Sequence, residues 1–109
     1  MRFHKISPDY AVAGQITPDD IGAIKTEGFK SVICIRPDNE GWGQPSYDDV
    51  SKAASAAGLQ TAYIPVSGMI GEGQLIKFEE AMKTMPKPIL GYCLSGGRAA
   101  SLYSYTAGR

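Results

Sequence analysis

Ile89-Leu90-Gly91-Tyr92-Cys93-Leu94-Ser95-Gly96-Gly97-Arg98-Ala99-Ala100-Ser101-Leu102 is the stretch on which the fold turns. Pro86 and Pro88 stop the element before it, and Ile89 to Tyr92 is an apolar run of strand length. Gly96 and Gly97 let the chain curl, and the small residues after Arg98, with Leu102 and Tyr105, suit a closing helix. A buried strand that runs through a glycine-bearing loop into a helix is a unit of α/β sheets. In open parallel sheets, ligands bind beyond the carboxyl ends of the strands, where Cys93 stands.

Three features of the loop favour negative charge at Cys93. The two glycines allow successive backbone N–H groups to point inward as an anion-binding nest. The helix N-terminus supplies about half a positive charge. Arg98 adds a full one on a planar fork of donors. Cys93 and Arg98 are therefore read as catalytic, and Leu94, Ser95, Gly96 and Gly97 as the substrate-binding loop. A structural cysteine beside an ordinary tight turn is the competing reading, because free cysteines are usually buried.

Working outward, strands and helices alternate. Tyr10 to Gly14 is a short apolar run, read as an edge strand. Thr17-Pro18-Asp19-Asp20 has a cap, a proline and first-turn acids, and it opens a short helix that stops at Gly28. Lys30 to Arg36 contains Val32-Ile33-Cys34-Ile35, a nearly continuous apolar run suited to a strand covered on both faces. Residues 37–45 are loop. Ser46 opens a second helix with Val50, Ala53, Ala54 and Ala57 as its stripe, and Gln60 to Val66 is a third strand. After a loop from Ser67 to Gly73, Leu75, Phe78, Met82 and Met85 recur at helical spacing. The pattern predicts a three-layer α/β domain over 1–109: a mostly parallel sheet flanked by helices, with the active-site loop between the last strand and a helix. The chain ends soon after its last helix begins, which points to a domain of a longer protein, a short stand-alone chain being the alternative.

Eleven basic and eleven acidic side chains cancel, so there is no electrostatic footprint for nucleic acid or an anionic membrane. No apolar run is long enough to span a bilayer, and the first residues lack a signal-peptide core, so a cytoplasmic protein is expected. One histidine and two distant cysteines give no zinc spacing, and neither metal nor cofactor is called for.

The length of the loop separates two chemistries. Four residues stand between Cys93 and Arg98. Cysteine-dependent phosphatases place one more there, making a cradle wide enough for a phosphoryl group. The shorter loop matches rhodanese-type sulfurtransferases, which carry a single sulfur as a persulfide. Dual-specificity phosphatases also use an upstream Asp as general acid, and no Asp occurs between Ala62 and Cys93. Without an acid, hydrolysis of alkyl phosphates loses roughly 10²–10⁴ in rate. Sulfur transfer through Cys93 is the first expectation, with a small sulfur donor or anion as substrate. A phosphatase acting through a phosphocysteine is the alternative, and a non-catalytic anion-binding module the second.

Ordered motifs along the chain extend the comparison. They are Val12-Ala13-Gly14-Gln15-Ile16, Pro18-x-Asp20, Gly28-Phe29-Lys30-Ser31-Val32-Ile33, Arg36-Pro37-Asp38-x-Glu40, Gln44-Pro45-Ser46, Ala57-Gly58-Leu59, Ile64-Pro65-Val66 and Tyr92-Cys93-x-Ser95-Gly96-x-Arg98. With these the chain resembles the phosphatase-like domain of the β-lactamase hydrolase-like proteins, a family also described as sulfur transferase/phosphatase. The resemblance implies a dual-specificity-phosphatase-like fold with a rhodanese-length loop. It also implies a partner, fused or separate, of the metallo-β-lactamase-like persulfide dioxygenase type. Members carry Arg after the Cys and Asn in the strand before Arg-Pro-Asp. Leu94 and Cys34 depart from that pattern.

Arg36 and Asp38 follow a long strand, and topology points them to the same mouth. They are read either as a substrate-orienting Arg with its Asp or as a structural pair pinning the loop. Cys34 reads as a small core residue, a resolving partner for Cys93 being the other option. Trp42 and Tyr47 flank the long loop as lid or packing residues.

Overall fold

Residues 1–107 are described in a computed structural model. The five strands are β1 (His4–Ser7), β2 (Tyr10–Ala13), β3 (Ser31–Cys34), β4 (Gln60–Tyr63) and β5 (Ile89–Tyr92). They form one sheet in the order β1-β2-β5-β3-β4, parallel except for β1, which runs antiparallel to β2. The helices are α1 (Ile21–Thr26, led by a 3₁₀ turn over Pro18–Asp20), α2 (Tyr47–Ala56), α3 (Glu72–Thr84) and α4 (Gly97–Ala107). The expected three-layer, mostly parallel architecture is present. The last two residues of the 1–109 domain lie outside the described residues.

The continuous apolar runs have a simple cause. Successive strand residues face opposite ways, and here both faces are covered. Val32 and Cys34 join Leu90 and Tyr92 in a core beneath α1 and α2, whereas Ile33 and Ile35 join Ile89 and Cys93 in a core beneath α3 and α4. Cys34 and Cys93 therefore stand on opposite faces of the sheet, which removes any basis for a bridge between them. The Cys34 thiol hydrogen-bonds the Arg36 carbonyl at 3.2 Å, and burial pushes its pKa up, so it behaves as a small core residue.

One strand assignment is corrected. Tyr10–Ala13 is fully buried and central, because β1 covers its outer side. Three of the four β1 residues are exposed and its pairing is interrupted by an irregularity between Lys5 and Ser7, so it leaves no periodic apolar signal. The third strand is also shorter than expected at Gln60–Tyr63, although Ile64 N–H and Val66 N–H continue to donate to the carbonyls of Cys34 and Ile35, each at 2.9 Å. That extension carries the Val66 carbonyl to the mouth of the sheet.

Tyr10 ties β2 to the start of α4. Its ring stacks on Tyr103 at 5.2 Å and meets Phe78 edge-on at 5.3 Å, contacts worth about 0.5–1.5 kcal/mol each beyond burial. Its hydroxyl donates to the Ala99 carbonyl at 3.0 Å and lies where a Cβ on residue 91 would stand, so Gly91 is dictated by packing.

Candidate active site

β5 delivers Cys93 into the loop, and α4 begins at Gly97. The loop is held to β2 by two backbone bonds: Cys93 N–H donates to the Ala13 carbonyl and Gln15 N–H to the Leu94 carbonyl, both at 3.3 Å. Gly14 accommodates this approach, since a Cβ there would come within 3.0 Å of the Leu94 carbonyl oxygen. Gly96 has φ +95, the left-handed region that glycine tolerates, and in that conformation its N–H donates to Cys93 Sγ at 3.1 Å. The Ser95 hydroxyl accepts from Gly97 N–H at 3.4 Å. The Leu94 side chain is largely exposed, so only its backbone serves the loop. The sulfur itself is buried at the floor of the loop and in reach of Arg98.

Arg98 is clamped from the side away from Cys93 by fixed oxygens. Its Nη1 donates to Glu40 Oε2 and to the Val66 carbonyl, both at 2.7 Å, and its Nη2 donates to Glu40 Oε1 at 2.7 Å. The end-on fork of the guanidinium is thus spent on one carboxylate. Nε and the second Nη2 hydrogen, the side-on fork, are used by neither Glu40 nor Val66, and the guanidinium lies within hydrogen-bonding reach of Cys93. Glu40 is itself shared: Arg36, largely buried, donates from Nε to Glu40 Oε1 at 3.0 Å and from Nη1 to Gln15 Oε1 at 2.9 Å. One carboxylate therefore spaces two arginines, and a glutamine on the β2 side holds the second.

The Arg98 and Arg36 contacts lower the Glu40 pKa to about 2, with the Arg98 hydrogen bonds the largest cause. The same bonds push Arg98 further up. Glu40 is therefore ionised at neutral pH and has no proton to give. The unfolded carboxyl would titrate near ~4.3, above its folded value. The contribution of the clamp to stability is therefore complete above that range and lost as the pH falls toward about 2. The difference in Tm between wild type and Glu40→Gln, open at pH 7, is expected to close as thermal melts are repeated down to pH 2. A gap independent of pH would show that the carboxylate charge contributes nothing.

Asp38 is placed elsewhere. Its Oδ1 accepts Tyr47 N–H at 2.8 Å, capping α2, and its own N–H donates to the Tyr63 hydroxyl at 2.9 Å. Arg36 thus reaches the mouth while Asp38 pins the loop to the first turn of the helix. Tyr47 stacks on Tyr63 at 4.7 Å, whereas Trp42 is fully exposed. Cys93, Ser95, Gly96, Gly97, Arg98 and Arg36 are brought together. Glu40 and Gln15, which the sequence reading left without a role, complete the set. Their only trace in the sequence is an acid four residues after Arg36 and a polar residue just past β2; what recruits them is the meeting of two arginines from distant segments. Among the described residues no group of His, Cys, Asp and Glu could hold a metal ion, and no helix is long and apolar enough to cross a membrane.

Residues 2–108 match the family described as "Beta-lactamase hydrolase-like protein, phosphatase-like domain". A β-lactamase hydrolase-like protein of Agrobacterium fabrum is 38% identical over 104 residues, and one from Xylella fastidiosa strain 9a5c is 36% identical over 105. These alignments take in 94% and 95% of this chain but 24% of each relative, so the chain spans about a quarter of their length. Among solved structures, a Neisseria meningitidis protein bearing the name "putative phosphatase" superposes with a TM-score of 0.90 at 27% identity, over 98% of this chain and 77% of that one. The catalytic core of the PP-IP phosphatase SIW14 from S. cerevisiae shares the fold, with a TM-score of 0.70 at 17% identity over 92% and 60% of the two chains.

Proposed function

Since the chain belongs to the β-lactamase hydrolase-like protein family as its phosphatase-like domain, we propose that it is a cysteine-dependent phosphatase acting on phosphate monoesters with good leaving groups. This reverses the order of the two chemistries expected from loop length. The observation that carries it is the half-committed guanidinium of Arg98. Glu40 and the Val66 carbonyl fix its orientation, and the side-on fork faces the work of binding two oxygens of a phosphoryl group. The Cys93 thiolate attacks phosphorus, an S–P bond forms and the P–O bond to the leaving group breaks. Gly96 N–H stabilises the thiolate, and the N-terminal end of α4 favours the charge that develops on the phosphoryl oxygens. Water then cleaves the S–P bond, releasing inorganic phosphate and the free cysteine, with the proton passing to solvent.

Neither Glu40 nor Asp38 is placed to protonate the leaving oxygen. Glu40 is ionised, Asp38 caps a helix, and residues 64–71 between β4 and α3 contain no carboxylate. The leaving group must therefore depart as a stable anion, which selects aryl or acyl phosphates over alkyl ones.

Transfer of sulfane sulfur through a Cys93 persulfide is the second reading, favoured by the four-residue spacing from Cys93 to Arg98. There the thiolate attacks the outer sulfur of thiosulfate and sulfite leaves. One experiment separates the two. The protein is quenched in acid after brief exposure to 4-nitrophenyl phosphate or to thiosulfate, and its intact mass is measured. A phosphoryl adduct on Cys93 from the ester, with steady release of nitrophenol, is expected; a sulfur adduct with no nitrophenol release would replace the phosphatase by the sulfurtransferase. A fused or separate persulfide-oxidising partner belongs to this second reading.

A further inference from the structure

We infer that the cavity beside Arg98, walled by Met69, Ile70 and Tyr105, is the leaving-group subsite and takes a single aromatic ring. The inference rests on the phosphatase reading and narrows it from good leaving groups in general to aryl ones. The cavity, about 280 Å³, is lined by Gly68, Met69, Ile70, Arg98, Ser101 and Tyr105. Arg98 is common to this lining and to the surroundings of Cys93, which sets the cavity next to the position of a phosphoryl group held by its guanidinium. A cavity of roughly 150 Å³ already accommodates benzene, so one ring fits with room to spare.

The lining has the character of an aryl site. Met69 is 95% exposed and Tyr105 59% exposed, so both side chains have surface to give to a guest in the cavity they line. A thioether and a phenol ring are good partners for an aromatic guest, through sulfur–aromatic contact and offset stacking. The hydroxyls of Ser101 and Tyr105 are the uncharged polar groups in the lining, and there is no carboxylate, so the rest of the surface offered to a substituent is apolar apart from Arg98. The chemistry agrees with the shape. Residues 64–71, which supply Met69 and Ile70, contain no carboxylate, and a phenol leaves as its anion when the P–O bond breaks, taking its proton afterwards from water.

The test compares 4-nitrophenyl phosphate with acetyl phosphate, a substrate whose leaving group is small and needs no acid either. Wild type and the variants Met69→Ser, Tyr105→Ser and the double substitution are measured for kcat/KM on both. The ratio of aryl to acetyl specificity is expected to fall about tenfold in the double variant, chiefly through KM for the aryl ester. An unchanged ratio would overturn the subsite while leaving the phosphatase standing. Wild-type protein that hydrolyses neither compound would overturn the phosphatase and the subsite together. Both side chains are exposed, so folding is checked simply by comparing Tm. Competitive inhibition by phenylphosphonate against methylphosphonate gives an independent reading: the wild-type preference for the phenyl compound should disappear in the double variant, and its persistence would count against the assignment.

Discussion

Cys93→Ser should abolish hydrolysis of 4-nitrophenyl phosphate, with kcat falling by roughly 10³-fold or more, while the protein folds normally. The magnitude follows from the chemistry of the nucleophile. A serine hydroxyl needs an adjacent base to become nucleophilic, and none faces Cys93: Glu40 is held by two arginines and Asp38 by the backbone of α2. The structural cost is small, because a hydroxyl can accept the Gly96 N–H as the sulfur does. Steady-state kinetics and a melting curve on the same preparation check both parts. Residual activity near the wild-type level would remove Cys93 from the reaction and return it to the core.

Arg98→Lys should lower kcat/KM for the same ester by about 10²–10³, the range found when one preorganised donor to a developing oxyanion is lost. The substitution keeps the charge, so a loss of this size would report geometry. An ammonium cannot give one fork to Glu40 and a second to substrate, because it has no planar array of five N–H groups. The lysine would pair with Glu40 or the Val66 carbonyl and leave the phosphoryl oxygens with backbone donors alone. Glu40→Gln provides the contrast. It keeps Arg98 intact but loosens its clamp, and a smaller loss, carried by kcat as well as KM, is expected. Equal activity in wild type and Arg98→Lys would mean that Arg98 acts as a bulk positive charge.

Much of this architecture was legible in the sequence, for reasons that can be stated residue by residue. Val32-Ile33-Cys34-Ile35 feeds two cores in alternation, so it had to be continuous and reads as a covered parallel strand. Ser46 accepts Asp49 N–H at 3.1 Å and Gly58 has φ +84, local chemistry that announces the ends of a helix before any packing is known. β1 was not legible, because an exposed antiparallel edge strand of four residues needs no apolar pattern to pair.

At the site the division is equally physical. The sequence by itself determined the candidate nucleophile and the loop around it: Cys93, Gly96 and Arg98 are close in the chain, and a strand, a glycine and a helix start leave them few ways to be arranged. Only the tertiary structure decided what Arg98 does with its five donors. Glu40 follows β3, which lies beside β5, Val66 follows β4, one strand further out, and Gln15 follows β2 on the opposite side of β5; each reaches the mouth because the sheet order β2-β5-β3-β4 brings the carboxyl ends of those strands together. Hydrogen bonds between distant side chains leave no periodicity in a sequence. They depend on which strands lie side by side, and that is settled by the burial of both faces of the sheet.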